Sequence, residues 1–208
     1  MKKIKNSGSV IIVGLTGSIG MGKSETARMF SSFGIPVFDS DAEVHRLMGP
    51  GGEAVPLVEQ SFPGVSGEQG IDRKKLGARV FGDDKALKKL EKILHPLVAR
   101  GREKFIRRMR QKGHHIVVVD VPLLFETGSE KQVDYTVVVS APEFIQKSRV
   151  MARPGMTEDR LQAVLGKQMP DREKRRRADF VVQSGLGKRH ARAQVKDIIR
   201  LLEEEIHA

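Results

Sequence analysis

The sequence predicts an α/β fold: a parallel five-stranded sheet between layers of helices, with a helical insertion and a helical lid. Three observations predict it. Apolar runs at residues 10–15, 35–39, 115–120, 135–139 and 179–182 alternate with stretches of helical periodicity, the pattern of a doubly wound parallel sheet. Most of these runs are continuously apolar, as strands covered on both faces must be. The first run leads straight into a glycine-rich turn, "GLTGSIGMGKSE", and then into a helical pattern.

That turn defines the first element. "SVIIVGL" is rich in β-branched residues, which suit a strand. Ala27, Phe30 and Phe33 then recur near helical spacing until Gly34 ends the run, as expected for a short amphipathic helix. Residues Gly17, Ser18, Ile19, Gly20, Met21, Gly22, Lys23 and Ser24 match the template G-x-x-x-x-G-K-[ST]. Glycine allows the positive φ that turns backbone N–H groups into an anion-binding concavity. The helix that follows adds the positive end of its dipole. In this template the Lys23 ammonium reaches the β- and γ-phosphates of a nucleotide and the Ser24 hydroxyl helps to hold Mg²⁺. The fold class thereby narrows to a three-layer P-loop NTPase fold.

The gap between the second and third strands is long. It opens with "GPGGE" and runs over residues 49–113, where "DRKKLGARVF" and "DDKALKKLEKILHPLVARGREKFIRRMRQ" both carry apolar residues at helical spacing. Acidic residues stand where they cap helix starts, and Pro96 is expected to bend or break the second helix. These residues form a helical insertion. A second feature, residues 148–168, joins two helices through Pro154 and Gly155, with Arg149 and Arg153 four apart at the joint and Thr157 starting the next helix. This arrangement suits a lid, and equally an ordinary exposed helical hairpin. The last helix, residues 188–206, serves packing and solubility.

Composition narrows the function classes. The chain has 208 residues, a formal charge of +11, 5% aromatic residues and no tryptophan. Basic residues such as Lys85, Lys88, Lys89 and Lys92 alternate with Leu87, Leu90, Ile93 and Leu94, as on the wet face of an amphipathic helix. No basic stretch is interleaved with stacking aromatics, so no nucleic-acid partner is expected, and a basic surface also attracts phosphorylated metabolites. With no cysteine, disulfides and thiolate metal sites are excluded. The six histidines show no H-x-x-x-H spacing. No apolar run approaches the roughly 20 residues of a membrane span, and "SVIIVGL" behind the N-terminal lysines is read as a strand rather than a signal core. A cytoplasmic protein is expected; the oligomeric state is left open.

Two carboxylates, Asp39 and Asp41, close the second strand in "VFDSDAEVH", at the end of the sheet where ligands bind. A carboxylate there can take the proton of a hydroxyl as it attacks a γ-phosphate. One of the pair also suits a helix cap; we assign capping to Asp39 or Ser40 and the chemistry to Asp41. The third strand, "HIVVVD", closes on Asp120, the position of a metal-side acid.

Together these segments resemble the dephospho-coenzyme A kinase family, from about residue 10 to residue 185. The likeness rests on "GLTGSIGMGKS", "FDSDAEVHRL", "DRKKLGARVF", "LEKILHPLV", "VVDVPLLFETG", "QKSRVMARPGMTEDRLQAVLGKQ" and "RADFVVQSG" in that order. The resemblance implies ATP-dependent phosphorylation of the ribose 3′-hydroxyl of dephospho-coenzyme A, with Mg²⁺ held by Ser24 and Asp120. It implies that Asp41 is the general base and that Lys23 and Arg149 stabilise the transferring phosphoryl. It places Arg73 and His95 of the insertion, with Pro122, Leu123, Leu124 and Glu126 of "PLLFE", around the acceptor. Gln183, Ser184 and Gly185 would border the adenine. Two departures stand out: Glu25 replaces a usual threonine beside the α-phosphate, and "QSG" replaces a segment that usually contains asparagine. The competing expectations are another small-metabolite kinase acting on a nucleoside or nucleotide, and a nucleotide-binding RNA module.

Overall fold

The structure, a computed structural model, describes residues 10–206; the N-terminal lysines lie outside them. The described chain forms two compact units, one made of the residues up to Phe38 and from Arg108 onward, the other of Asp39–Arg107.

The first unit is built on a five-stranded sheet. Its strands are β1 (Ile11–Thr16), β2 (Val37–Asp39), β5 (Ile116–Asp120), β6 (Tyr135–Ser140) and β7 (Phe180–Gln183), in the order β2-β5-β1-β6-β7. Strand β1 pairs in parallel with β5 and β6, and β6 with β7. The five apolar runs thus became five strands. Every residue of β5 and β6 is buried, which is why those runs carry no polar alternation. Helix α1 (Lys23–Ser32) and helix α9 (Lys188–Ile206) share one core with the sheet, where Val13, Leu15, Phe30, Val137, Val195 and Leu202 are all within 2% of complete burial. Burying a side chain such as Phe30 contributes about 1.5–3 kcal/mol.

Register at the end of β7 is fixed by one side chain. Asp179 Oδ2 accepts from both the N–H and the hydroxyl of Thr136, at 2.8 and 2.7 Å, while Thr136 Oγ1 accepts from the Asp179 N–H at 3.0 Å. The aspartate of "RADF" is therefore structural. The same unit holds α6 (Glu143–Met151), α7 (Glu158–Leu165) and α8 (Asp171–Arg177). Gly155, at φ +72°, turns the chain between α6 and α7, and the Thr157 hydroxyl caps α7 by accepting from the Arg160 N–H.

The second unit contains α2 (Ser40–Met48), α3 (Val55–Ser61), an antiparallel pair β3 (Ser66–Gly67) and β4 (Gly70–Ile71), α4 (Arg73–Val80) and most of α5 (Asp84–Gln111). The acidic caps form as the sequence suggests. Asp72 accepts from the Lys74 and Lys75 N–H groups, and Asp83 from those of Lys85 and Ala86. Glu59 holds the turn into β3 by accepting from the N–H groups of Gly64, Val65 and Ser66, and these bonds keep its carboxyl below the usual range.

Pro96 does not break the helix: α5 continues through it. A proline inside a helix costs roughly 3 kcal/mol. Leu90, Leu94 and Leu97 bracket it and are buried in the core of this unit; at about 1.5–3 kcal/mol each they outweigh that cost. The buried stripe is Leu90, Leu94, Leu97, whereas Leu87 is left exposed.

Candidate active site

Strand β1 ends at Thr16, and the next six residues form the glycine-rich loop that closes on α1. Gly22 is the N-cap of α1 in the left-handed region, at φ 94°, and no side chain caps this helix start. The first turn of α1 thus keeps its N–H groups for an anion. Gly20 is required for two reasons. Its φ is +78°, and a Cβ there would fall 2.5 Å from Val150 Cγ2 and 2.9 Å from the Gln146 carbonyl oxygen. The loop is seated against α6 with no space for a side chain.

Lys23 opens α1, and its ammonium donates to Asp120 Oδ1. Their meeting follows from the sheet: Asp120 ends β5 directly opposite Leu15 of β1. Both side chains are nearly buried, at 16% and 7% exposure, so the pair is little screened by water. Ser24, next in the chain, is exposed. The structure thus brings Lys23 and Asp120 together where β5 ends beside β1. A serine hydroxyl and a carboxylate are hard oxygen donors of the kind Mg²⁺ takes, usually one or two from protein with phosphates supplying the rest. Among the described residues no group of three or more His, Cys, Asp or Glu side chains forms a metal cage.

Arg149 of α6 lies beside the same loop. Its Nη1 donates to Ser184 Oγ at 2.9 Å and to the Gly20 carbonyl at 3.4 Å, and its Nη2 donates to the Ser184 carbonyl at 2.8 Å. Ser184 in turn donates to the Met21 carbonyl at 2.5 Å. The "QSG" segment is thus tied to the phosphate loop through Ser184. Gln183 points its backbone elsewhere, donating its N–H to Gln194 Oε1 at 3.0 Å. At Gly185 a Cβ would sit 2.5 Å from Pro142 Cδ. Gly22, Glu25, Thr26, Arg149, Ser184 and Lys188 line a cavity of about 240 Å³ at the head of α1. Glu25 pairs its carboxylate with Arg28 and with Lys188 at 3.2 Å. The hydrogen bond from Arg28, followed by that from Lys188, lowers its pKa. Its charge is therefore balanced within the protein.

After β5 the chain enters "PLLFE". The Pro122 carbonyl accepts from Thr16 Oγ1 at 3.1 Å, and Pro122 and Leu123 present surface to solvent. Leu124 does not: it is 0% exposed and packs over the backbone at Gly14. Glu126 is also turned inward, paired with Lys174 at 2.8 Å and accepting from the Met169 N–H at 2.7 Å. Leu124 is thus enclosed by protein, and the Glu126 carboxylate is engaged by Lys174 and the Met169 N–H. An apolar side chain gains by burial, whereas a carboxylate is tolerated in the interior only when it is paired.

Within the second unit, the two strand-end carboxylates separate. Asp39 Oδ1 caps α2 by accepting from the Ala42 N–H at 2.9 Å. Asp41, in the first turn of α2, is exposed. His45 lies one turn further along α2, on the same face as Asp41, and its Nε2 is 2.6 Å from Arg73 Nη1 at the start of α4. Asp41, His45 and Arg73 are thereby gathered on one surface. His95 is exposed on α5. His45 escaped the sequence reading, although its i, i+4 spacing from Asp41 was the signal that marked it.

Residues 11–188 match the family model for dephospho-CoA kinase. A dephospho-CoA kinase from Mesorhizobium japonicum is 56% identical over 190 residues, which is 91% of this chain and 95% of the relative. A crystal structure from Thermus thermophilus superposes with a TM-score of 0.81 at 33% identity, covering 93% of this chain and 97% of that one. A dephospho-CoA kinase from Campylobacter jejuni shares the fold at a TM-score of 0.63 and 24% identity, over 91% and 95% of the two chains. With its phosphate loop, its strand-end acid and a match over most of its length, this chain belongs to the dephospho-CoA kinase family, the transferases of the final step of coenzyme A biosynthesis.

Proposed function

We propose that the chain transfers the γ-phosphoryl of ATP to the ribose 3′-hydroxyl of dephospho-coenzyme A, with Asp41 as general base. The observation that carries the nucleotide side is Lys23 held on Asp120 at the mouth of the loop. In the reaction the 3′-oxygen bonds to the γ-phosphorus as the bond to the β–γ bridging oxygen breaks. The hydroxyl proton passes to the Asp41 carboxylate, and ADP leaves. Loop N–H groups and Lys23 bind the phosphates where negative charge accumulates, the largest contribution available to phosphoryl transfer. Arg149, beside the Gly20 carbonyl, adds a second cation at the loop. Asp39 is occupied as the α2 cap, which supports Asp41 as the free carboxylate. Ser24 and Asp120 would hold Mg²⁺, which when bound neutralises phosphate charge.

On this reading residues 148–168 are the lid, and residues 49–113 bind the acceptor through Arg73, with His45 orienting it, and through His95. Pro122 and Leu123 offer the remaining apolar surface. The cavity beside Gly22 and Ser184 takes the nucleoside end of ATP, and the enzyme works in the cytoplasm where that nucleotide is supplied. The test is ATP consumption with and without dephospho-coenzyme A, with the product located by ³¹P NMR. Acceptor-dependent ADP formation and a new phosphomonoester resonance are expected. Phosphorylation of a nucleoside or nucleotide in place of dephospho-coenzyme A would overturn the proposal.

A further inference from the structure

Helix α8 carries four successive basic residues, Lys174 to Arg177. Three of them are exposed, while Lys174 is 0% exposed. Its ammonium is 2.8 Å from Glu126 Oε1, and the same oxygen accepts from the Met169 N–H. Glu126 Oε2, Asp171 Oδ1 and Lys174 Nζ are all buried without an aligned hydrogen bond. Such a pair is a poor source of stability, because well-packed apolar residues of similar volume do as well or better. Its placement has a clearer use. Met169 follows Gln168, and Gln168 Oε1 accepts from the Ile19 N–H of the phosphate loop at 3.0 Å. The carbonyl of Ile19 accepts from Gln146 Nε2 at 2.8 Å. Gln146 precedes residues 148–168 and Gln168 ends them. Both roots of that segment are fastened to the two sides of one residue in the phosphate loop.

We propose that Gln168 and Lys174 are positioning residues for phosphoryl transfer. Lys174, through Glu126, fixes the backbone at Met169, so that the neighbouring Gln168 carboxamide holds Ile19. With Gln146 on the other side, Ile19 cannot rotate, and the loop keeps its anion-binding shape before nucleotide arrives. The proposal rests on the kinase reading, in which this loop binds ATP. Because a misplacement of about 1 Å can cost a hundredfold in rate, a buried clamp behind the loop has a function that its stability alone does not explain.

The experiment uses the full chain and four variants: Gln168→Leu, Lys174→Met, Glu126→Gln and the pair Lys174→Met/Glu126→Gln. Acceptor-dependent turnover of the parent is measured first, so that failure of the kinase reading shows separately. For each variant the thermal midpoint, kcat and the two KM values are then determined. Gln168→Leu is expected to raise the KM for ATP about tenfold, the equivalent of one lost hydrogen bond of about 1.4 kcal/mol. The acceptor KM should stay within about twofold, since a clamp on the phosphate loop affects one substrate only. Lys174→Met should lower kcat/KM for ATP by about tenfold, and adding Glu126→Gln should restore it to within about threefold, because an amide oxygen still accepts from Met169 without an unpaired charge. Should Lys174→Met fail to fold, the pair and Gln168→Leu still decide. An unchanged KM for ATP in Gln168→Leu, equal changes in both KM values, or a pair as impaired as Lys174→Met would overturn the proposal.

Discussion

Replacing Lys23 with methionine keeps the aliphatic stem and removes the ammonium, so it isolates the charge. Two consequences can be separated. Asp120 is 5% exposed and loses its cationic neighbour, and a charged hydrogen bond of this kind contributes about 1.5–3 kcal/mol. For a chain of this length each kcal/mol moves the melting midpoint by about 2–4 °C, so a loss near 2 kcal/mol lowers it by about 4–8 °C. The transition state also loses a cation on the transferring phosphoryl, worth about 3 kcal/mol or a hundredfold in kcat/KM. Adding Asp120→Asn removes the negative charge that faced the lost ammonium and should recover part of the lost stability. It should recover none of the activity, because the phosphate still lacks its lysine. Thermal unfolding and a coupled assay for ADP, run on the parent, the single and the double variant, give both numbers. Turnover by Lys23→Met within threefold of the parent, or activity that returns together with stability in the double variant, would refute the reasoning.

Asp41→Asn should bind both substrates as the parent does yet slow single-turnover phosphoryl transfer by about 10²–10⁴-fold; transfer at the parental rate removes Asp41 as base. Asp39→Ala should instead cost about 0.5–2 kcal/mol of stability through the lost α2 cap, read by urea denaturation. Arg73→Ala and His45→Ala, which break the same contact, should each raise the KM for dephospho-coenzyme A while leaving that for ATP unchanged; equal effects on both substrates make this surface merely structural. Burial pushes the Glu126 carboxyl up, but Lys174 and the Met169 N–H outweigh it and hold the pKa below its ordinary 4.5. A depressed folded pKa means stability that is complete above about pH 4.5 and lost as the pH falls through the lower folded value. Glu126→Gln should therefore flatten the acid limb of stability measured between pH 5 and pH 3, and an unaltered acid limb would remove Glu126 as its source.

The parallel strands were legible because burial on both faces writes them as apolar runs, and β5 and β6 are the clearest cases. The phosphate loop was legible because its glycines answer a backbone need that no other residue meets. Caps at Asp39, Asp72 and Thr157 were local and equally visible. What stayed hidden depended on contacts far apart in sequence. Ile19 meets Gln168 across 149 positions, and nothing near either residue announces it. Lys174 is one of four bases in a row, and only the orientation of α8 buries that one. The α5 helix survives Pro96 because its leucines have a core to enter, which a local rule cannot register. The strands β3 and β4, of two residues each, are too short to show any alternation.

The residues assigned to the two substrates also differ in how firmly they are held, and this difference bears on mechanism. Lysine has three N–H donors, and Asp120 takes one from Lys23, leaving two for phosphate. Asp120 is itself fixed by its place opposite Leu15 in the sheet, so the ammonium is oriented by paired backbone rather than by a loop. Asp41, His45, Arg73 and His95 stand on exposed helical surfaces, where long or mobile side chains keep their rotamer freedom until a ligand orders them. Charge stabilisation works best when its donors need no reorganisation at the moment of reaction, and recognition of a long, flexible acceptor tolerates adjustment. The division of labour between a rigid sheet end and an adaptable helical surface therefore follows from what each half of the reaction demands.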